Sequence, residues 1–458
     1  MSAFYITTAI EYANGEPHLG HAFEKIGADA IARYRRLRGD TVHLLVGSDD
    51  HGLKVARAAQ AAGRTPGEQA NQISAAFRRA WDALGIGYDR FVRTSTAEHA
   101  AGVRAIIGRI LARHPDAFYE KAYEGWYCVG CESFRTPREL DNGRCAVHPS
   151  LDWGIPFPIA DARGRHQTIY VWFDALPSYL TATGFPEAHA GAEWPAQVHV
   201  VGKDITRFHC VLWPAVLIAA GLPLPERVWA HGFVTANGVR LSKSAGAWID
   251  LDEAIARYGV DALRYFLLRE IPFDDDGDFT WQRFDSRYTA DLANTLGNLT
   301  SRVAALVARH APDGCVPQVQ SDRGGAVADA IHATEARIAL ALEGYVTAFD
   351  AFLPHEALTA VFDALAAGNE LISRTAPWAL ATDPARRDDF DRTIRASVTL
   401  LAQAAILLWP VIPATAERLW RSLGGPACVE AQRLADVGRL DPTGWRVTRI
   451  PPVFPRAR

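Results

Sequence analysis

Methionine is almost missing from this chain: Met1 is the only one in 458 residues. Base composition alone does not explain that, because isoleucine stays common. Lysine is nearly as scarce, confined to Lys25, Lys54, Lys121, Lys203 and Lys243, with arginine supplying the remaining positive charge. Each retained lysine is therefore informative. No run of about eighteen apolar residues occurs, so no membrane-spanning helix is expected. The opening MSAFYITTAIEYANG has no basic segment leading into an apolar one, and the expectation is a soluble, cytoplasmic protein without membrane partners. Six cysteines, three of them close together (Cys128, Cys131, Cys145) and three scattered (Cys210, Cys315, Cys428), do not form a disulfide framework. The formal charge is only −4, with pI near 6.4. Contact with nucleic acid would have to come from a local basic face.

What is present is ordinary globular material, 49% hydrophobic and 22% charged. At roughly 150 residues per domain the length suggests about three domains. Residues 1–115 alternate strand and helix signals: a β-rich run at Phe4–Ile10, helical periodicity at Leu19–Leu37, a short strand at Val42–Val46 and a helix at Leu53–Ala62. Residues 116–157 break the rhythm with aromatics, cysteines and turn residues and read as an insertion. The pattern resumes over 158–250, with strands expected at Thr168–Phe173, Gln197–Val201 and Arg227–Val234 and a helix at Ile205–Ala220. Residues 251–282 are expected to form a linker region that contacts the stem of a partner nucleic acid, and 283–458 an all-α domain with helices near Tyr288–Arg309, Ala326–Phe349, Glu356–Ser373 and Thr393–Leu407, then an irregular tail. The predicted fold class is α/β, a Rossmann-type doubly wound parallel sheet with a small zinc-binding insertion, followed by a helical bundle.

Three constellations carry chemistry. His18-Leu19-Gly20-His21 lies where the first strand turns into the first helix. Free N–H groups and the helix dipole attract an anion there, glycine allows close approach, and two imidazoles can donate to developing charge. Arg240-Leu241-Ser242-Lys243-Ser244 follows the hairpin-like Thr235-Ala236-Asn237-Gly238 and reads as a mobile phosphate clamp. Cys128-x2-Cys131 with Cys145-x2-His148 matches a closed tetrahedral Zn2+ site of structural kind, because four protein ligands leave no open position.

The first two motifs together resemble the signatures of class I aminoacyl-tRNA synthetases, His-x-Gly-His and Lys-Met-Ser-Lys-Ser. Their flanks resemble the methionyl-tRNA synthetase family: Tyr12-Ala13-Asn14-Gly15, Gly47-Ser48-Asp49-Asp50-His51-Gly52, Tyr170-Val171-Trp172-Phe173-Asp174-Ala175, Gly202-Lys203-Asp204-Ile205, Phe208-His209, Trp213-Pro214 and Thr375-Ala376-Pro377-Trp378. The resemblance implies ATP-dependent activation of L-methionine and its transfer to tRNA(Met), with Mg2+ accompanying ATP. It implies catalytic roles for His18, His21, Arg240 and Lys243, and nucleotide contacts from Gly20, Asp204, His231 and Gly232. Asp49 would hold the α-ammonium, while Ile10, Tyr12, Trp172, Ala175, Leu176, Tyr179, Ile205 and His209 would surround the side chain. Asn369, Arg374 and Trp378 are the candidates for reading the anticodon, and a monomer is expected.

Three departures from the family pattern stand out. Arg240 and Leu241 occupy positions where lysine and methionine are usual. Glu11 puts a carboxylate beside Tyr12, at the expected pocket mouth. The insertion passes from His148 through Pro149–Trp153 almost directly into Gly154-Ile155-Pro156. Two alternatives follow: an amino-acid-activating paralogue serving a non-ribosomal pathway, and a non-catalytic tRNA-binding regulator. The lack of internal methionine suggests a specialised second copy, one made when methionyl-tRNA is scarce.

Overall fold

The computed structural model describes residues 2–120, 153–187, 193–241, 249–319 and 324–455, and the backbone of Trp126–Cys128 and Ser133–Arg135. Two compact units emerge, one comprising Ala3–Ala28 and Val42–His231, the other Met1–Ser2, Asp29–Thr41 and Gly232–Arg458.

In chain order, β1 (Ala3–Thr8) and the two-residue β2 (Glu11–Tyr12) precede α1 (Leu19–Arg38), whose residues from Asp29 on count with the second unit, and then β3 (Thr41–Asp49), α2 (Leu53–Ala61), α3 (Pro66–Ala83), β4 (Arg90–Arg93) and α4 (Ala97–Arg113). Two short hairpins follow, β5 (Trp126–Cys128) with β6 (Ser133–Arg135) and β7 (Pro156–Ala160) with β8 (His166–Thr168). Next come α5 (Val171–Ala175), α6 (Ser178–Thr181), β9 (Val198–Gly202), α7 (Trp213–Ala220) and β10 (Val228–His231). The sheet runs β10-β9-β1-β3-β2, with β4 also on β3. The β1–β9, β9–β10, β2–β3 and β3–β4 pairs are parallel, giving the Rossmann-like sheet. Val42, Leu44, Leu45 and Val46 are buried along β3, an apolar run suited to a strand covered on both faces. Gly47 continues it because a Cβ there would lie 2.5 Å from Val92 and 2.9 Å from Ile10. Helix α3, unrecognised by periodicity, carries a legible start: Thr65 accepts from the Glu68 N–H while Glu68 accepts from the Thr65 N–H.

Two expectations are corrected. The strand at Thr168–Phe173 stops at Thr168, and Val171–Ala175 is a helical turn whose Asp174 N–H and Leu176 N–H bond back to Tyr170 and Trp172. β-Favouring side chains are overruled here because the turn buries Asp174 between two histidines. The helix at Ile205–Ala220 is three pieces: a 3₁₀ turn at Lys203–Ile205, a π-helical turn at Phe208–Leu212 and α7. Pro214 lacks the N–H that an α-helix would aim at Cys210, and the widened turn precedes it.

The second unit contains β11 (Val234–Ala236) and β12 (Val239–Arg240), an antiparallel hairpin turned at Asn237 and Gly238 with φ of 53° and 75°. Two successive positive φ values make the turn expected from that sequence. Helices α8 (Leu251–Tyr258) and α9 (Val260–Glu270) lead to β13 (Gly277–Phe279), parallel to β11. A helical region follows: α10 (Trp281–Arg287), a π-helical stretch Tyr288–Gly297, α11 (Asn298–His310), α12 (Ala326–Asp350), α13 (Pro354–Thr375), α14 (Pro377–Leu380), α15 (Arg387–Leu408) and α16 (Pro413–Ser422). Fully buried Arg264 on α9 bonds Asp29 at 2.5 Å and the carbonyls of Val411 and Pro410 at 2.7 and 3.1 Å. No helix among the described residues is long and apolar enough to cross a membrane.

Candidate active site

Helix α1 starts on a reciprocal cap made by two histidines. The Nδ1 of His18 accepts from the N–H groups of Gly20 and His21 at 3.1 and 3.4 Å, and the Nδ1 of His21 accepts from the His18 N–H at 3.3 Å. The rings stack with centroids 3.5 Å apart. Gly20 permits this, since a Cβ there would sit 3.1 Å from the His18 ring. Two accepting Nδ1 atoms require that each neutral ring keep its proton on Nε2. The expectation that backbone N–H groups receive the anion is thereby corrected: those of Gly20 and His21 serve the cap, which leaves Nε2–H as the donor of each ring, that of His21 lying 3.5 Å from Glu11 Oε2. Burial and the nearby Lys25 ammonium hold the His21 ring well below the usual histidine range, hence neutral.

Several residues proposed for the side-chain pocket lie on or beside α5, α6 and the π-helical turn. The Nδ1 of His209 lies 3.0 Å from the Ile205 carbonyl, so it carries the proton. Its Nε2 then accepts from the Tyr179 hydroxyl at 2.7 Å. Burial keeps His209 neutral and pushes the Tyr179 hydroxyl far above its usual range. Leu176 and Tyr179 are buried in one cluster with Ile10 and Phe208 against it, and Trp172 stacks on Phe208 at 3.8 Å. The buried Trp172 Nε1 has no hydrogen-bond partner among the described residues. Tyr12 pairs with Asp49 in the β2–β3 register, and the Lys54 ammonium lies 5.2 Å over the Tyr12 ring. Asp49 is buried, with the Thr94 hydroxyl 3.4 Å from Oδ1. The structure thus brings Ile10, Leu176 and Tyr179 into one cluster with Phe208, on which Trp172 stacks, and ties Ile205 and His209 to Tyr179, while Tyr12 and Asp49 sit opposite each other on β2 and β3 and Ala175 is buried on the turn between Trp172 and Leu176.

The nucleotide candidates divide. His231 ends β10, buried, with Nε2 2.9 Å from Glu24. Gly202 leaves room for Asp204, whose Oδ1 would be 2.8 Å from a Cβ at that position. Asp204 is exposed. Gly232 lies in the second unit, where a Cβ would collide with the Asp275 carbonyl at 2.0 Å. Glu11 is corrected outright: its carboxylate is buried against the Lys25 ammonium and does not hang at an open pocket mouth. Burial raises its pKa against the pull of Lys25.

Sequence reasoning missed two further groups. Asp174 accepts from His51 Nδ1 at 2.6 Å and His99 Nε2 at 3.0 Å, joining two of the quoted motifs. Although burial opposes ionisation, those two bonds hold Asp174 below the usual carboxylate range. Buried His199 sits between Thr7 and the Trp213 N–H, at 2.6 and 3.2 Å. Its only sequence signal is a histidine in an apolar strand.

Comparison with known proteins decides the family. The profile described as tRNA synthetases class I (M) matches residues 4–150 and 143–304, and the anticodon binding domain of methionyl tRNA ligase matches 322–444. The chain belongs to the methionyl-tRNA synthetase family. The methionine--tRNA ligase of Brucella suis is 37% identical over 99% of this chain and 98% of its own. That of Mycobacterium tuberculosis is 36% identical over 100% and 98%. The alignment with the Brucella ligase runs over 519 positions against the 458 residues here, so the relative carries segments this synthetase omits. The solved M. tuberculosis methionyl-tRNA synthetase in complex with methionyl-adenylate superposes with TM-score 0.92 at 35% identity, covering 100% of both chains. Its apo form gives TM-score 0.84 at 32% identity.

Within this synthetase fold, Asn369 donates its amide to the carbonyls of Thr295 and Leu365 at 3.1 and 3.2 Å, committing its N–H groups to the bundle. Arg374 lies 3.7 Å from Glu370, and Trp378 is 49% exposed with the Arg302 guanidinium 5.9 Å from its ring. Pro377 is the buried packing residue of that pair. Lys243 lies outside the described residues, as do Cys131, Cys145 and His148. For Cys128 and Arg240 only the strand backbone is described. Among the described residues no group of three His, Cys, Asp or Glu could hold a metal.

Proposed function

We propose that this protein activates L-methionine with ATP to methionyl-adenylate and transfers the methionyl group to the terminal ribose of tRNA(Met). The neutral, aromatic cluster around the Tyr179–His209 hydrogen bond carries this reading. An uncharged thioether is accepted there at little desolvation cost, whereas a charged side chain would lose its hydration without a counter-ion. Asp49 is the candidate partner of the α-ammonium, which orients the substrate carboxylate.

In adenylation the carboxylate oxygen attacks the α-phosphorus of ATP and pyrophosphate leaves. The Nε2–H donors of His18 and His21 stabilise the charge that accumulates on phosphate, and Arg240 and Lys243 of the second signature supply cationic contacts. Mg2+ accompanies the ATP. His231, Asp204, Gly20 and Gly232 are assigned to the nucleotide. The ribose hydroxyl of tRNA then attacks the adenylate carbonyl and AMP leaves. The helical region from residue 283 would present the anticodon site, with Trp378 as a stacking platform, Arg374 as backbone contact and Asn369 as a base reader through its carbonyl oxygen.

For zinc, the argument is the donor set: Cys128, Cys131, Cys145 and His148 supply three thiolates and an imidazole, all soft or borderline ligands, at paired x2 spacing. The ion would hold the insertion together and take no part in the transfer. The reading places the protein in the cytoplasm, with its tRNA. ATP–pyrophosphate exchange dependent on methionine, followed by charging of initiator and elongator tRNA(Met), tests the reading. Exchange without charging favours the paralogue, and no exchange with any amino acid excludes the enzyme.

A further inference from the structure

Lys25 is one of five lysines and is completely buried, yet none of the steps above uses it. A buried ammonium persists only where its three donors find acceptors. Here they find the Ala9 carbonyl at 2.8 Å, Glu24 Oε1 at 2.6 Å, and Glu11. The second oxygen of Glu24 meets His231 Nε2 at 2.9 Å, and the second oxygen of Glu11 lies 3.5 Å from His21 Nε2. Trp81 on α3 covers the ammonium from 5.8 Å. Two segments of the candidate site therefore converge on one nitrogen, the Ala9–Tyr12 segment and the helix whose first turn holds His18 and His21, and Glu24 extends the network to His231 at the end of β10.

We propose that Lys25 is a positioning residue for adenylation, fixing the Ile10–Tyr12 wall through Glu11 and His231 through Glu24. This rests on the activation reading given above. Coulomb attraction within such a buried cluster is strong. Glu24 shows the balance: burial opposes its ionisation, but Lys25 and His231 win and hold it below the usual carboxylate range. The same two carboxylates outweigh burial at Lys25 and raise its pKa. Because the two carboxylates lead to different substrates, Lys25 couples the amino-acid side of the site to the nucleotide side through two separable arms.

The arms can be cut one at a time. Steady-state exchange, with active-site titration to correct for inactive molecules, should show that Glu11→Gln raises KM for methionine about tenfold with little change in KM for ATP. Glu24→Gln should do the reverse. Lys25→Met should raise both and lower kcat, and Glu11→Gln combined with Lys25→Met should raise the methionine KM no further than Glu11→Gln alone while raising that for ATP as Lys25→Met does. If Lys25→Met fails to fold, the two glutamine variants, which keep the lysine and one carboxylate, carry the same test. Unchanged KM values in variants that lose only active fraction would overturn the proposal and make Lys25 a packing residue. A wild-type protein without methionine-dependent exchange would instead fail the activation reading, and the proposal with it.

Discussion

His18 and His21 cap each other across the first turn of α1, each ring nitrogen Nδ1 accepting a backbone N–H of the other's residue, with the rings stacked 3.5 Å apart. The side chains that start the helix are thus the ones that present Nε2–H donors. Asparagine is a good N-cap but offers no donor at the imidazole's reach. His18→Asn should keep the thermal midpoint within a few degrees while lowering the exchange rate by about 10²-fold or more. A rate loss that only tracks unfolding would refute the assignment.

The Tyr179–His209 bond should set discrimination between methionine and an all-carbon isostere such as norleucine. Tyr179→Phe leaves the buried His209 Nε2 without its donor, at a cost of about 1–3 kcal/mol. The expected result is a KM for methionine raised roughly ten- to hundredfold and a smaller methionine-to-norleucine ratio in exchange. An unchanged ratio would show that the polar tips do not face the side chain.

Asp29 and Arg264 form a fully buried pair. Asp29→Asn leaves the guanidinium uncompensated and should destabilise the second unit by about 3–5 kcal/mol in urea unfolding. The double replacement Asp29→Leu, Arg264→Met should be much less destabilised than either single change. Additive losses would contradict a pair whose cost is mainly the orphaned charge.

Acidification should destabilise the protein through its buried neutral histidines. Burial holds the folded-state pKa of His199 and His209 below the free value near 6.5. Their contribution is therefore fully present above the unfolded pKa and is lost as pH falls below it, because only the unfolded chain takes up the proton. Each can add up to about 1.4 kcal/mol per pH unit to the slope. Urea midpoints between pH 7.5 and 5.5 should fall, and His199→Gln should flatten the curve. A steeper curve in that variant would reverse the sign of the argument.

Purified protein should contain one zinc per chain, and Cys145→Ser should lose it. Chelation should increase proteolysis within residues 116–157 while methionine-dependent exchange survives longer than charging. Loss of exchange at the same rate as zinc would place the metal closer to the chemistry than a structural role allows.

Much of this was legible beforehand. The Asn237–Gly238 hairpin, the four long helices after residue 288 and the helix at His18 follow from local signals: positive-φ turn residues, 3.6-residue periodicity and a capping position. The strand ending at Thr168 and the π-helical turn at Phe208 were not legible, because burial of Asp174 and the missing N–H of Pro214 overrule propensity there. Glu11 shows the same limit from the chemical side. Beside Tyr12 it reads as a charge at a pocket mouth, and only the arrival of Lys25 from the next element makes it an internal partner.

By itself, then, the sequence determined the inventory: two signature motifs, three cysteines and a histidine at paired spacing, a set of aromatic residues, and almost no methionine. Tertiary structure decided the states of those residues. It set which imidazole nitrogen carries a proton, which carboxylates are neutralised, and that His51 and Asp174, 123 positions apart, share a hydrogen bond. The reason is physical: identity and periodicity act over a few residues, whereas desolvation and pairing depend on which distant segments exclude water together.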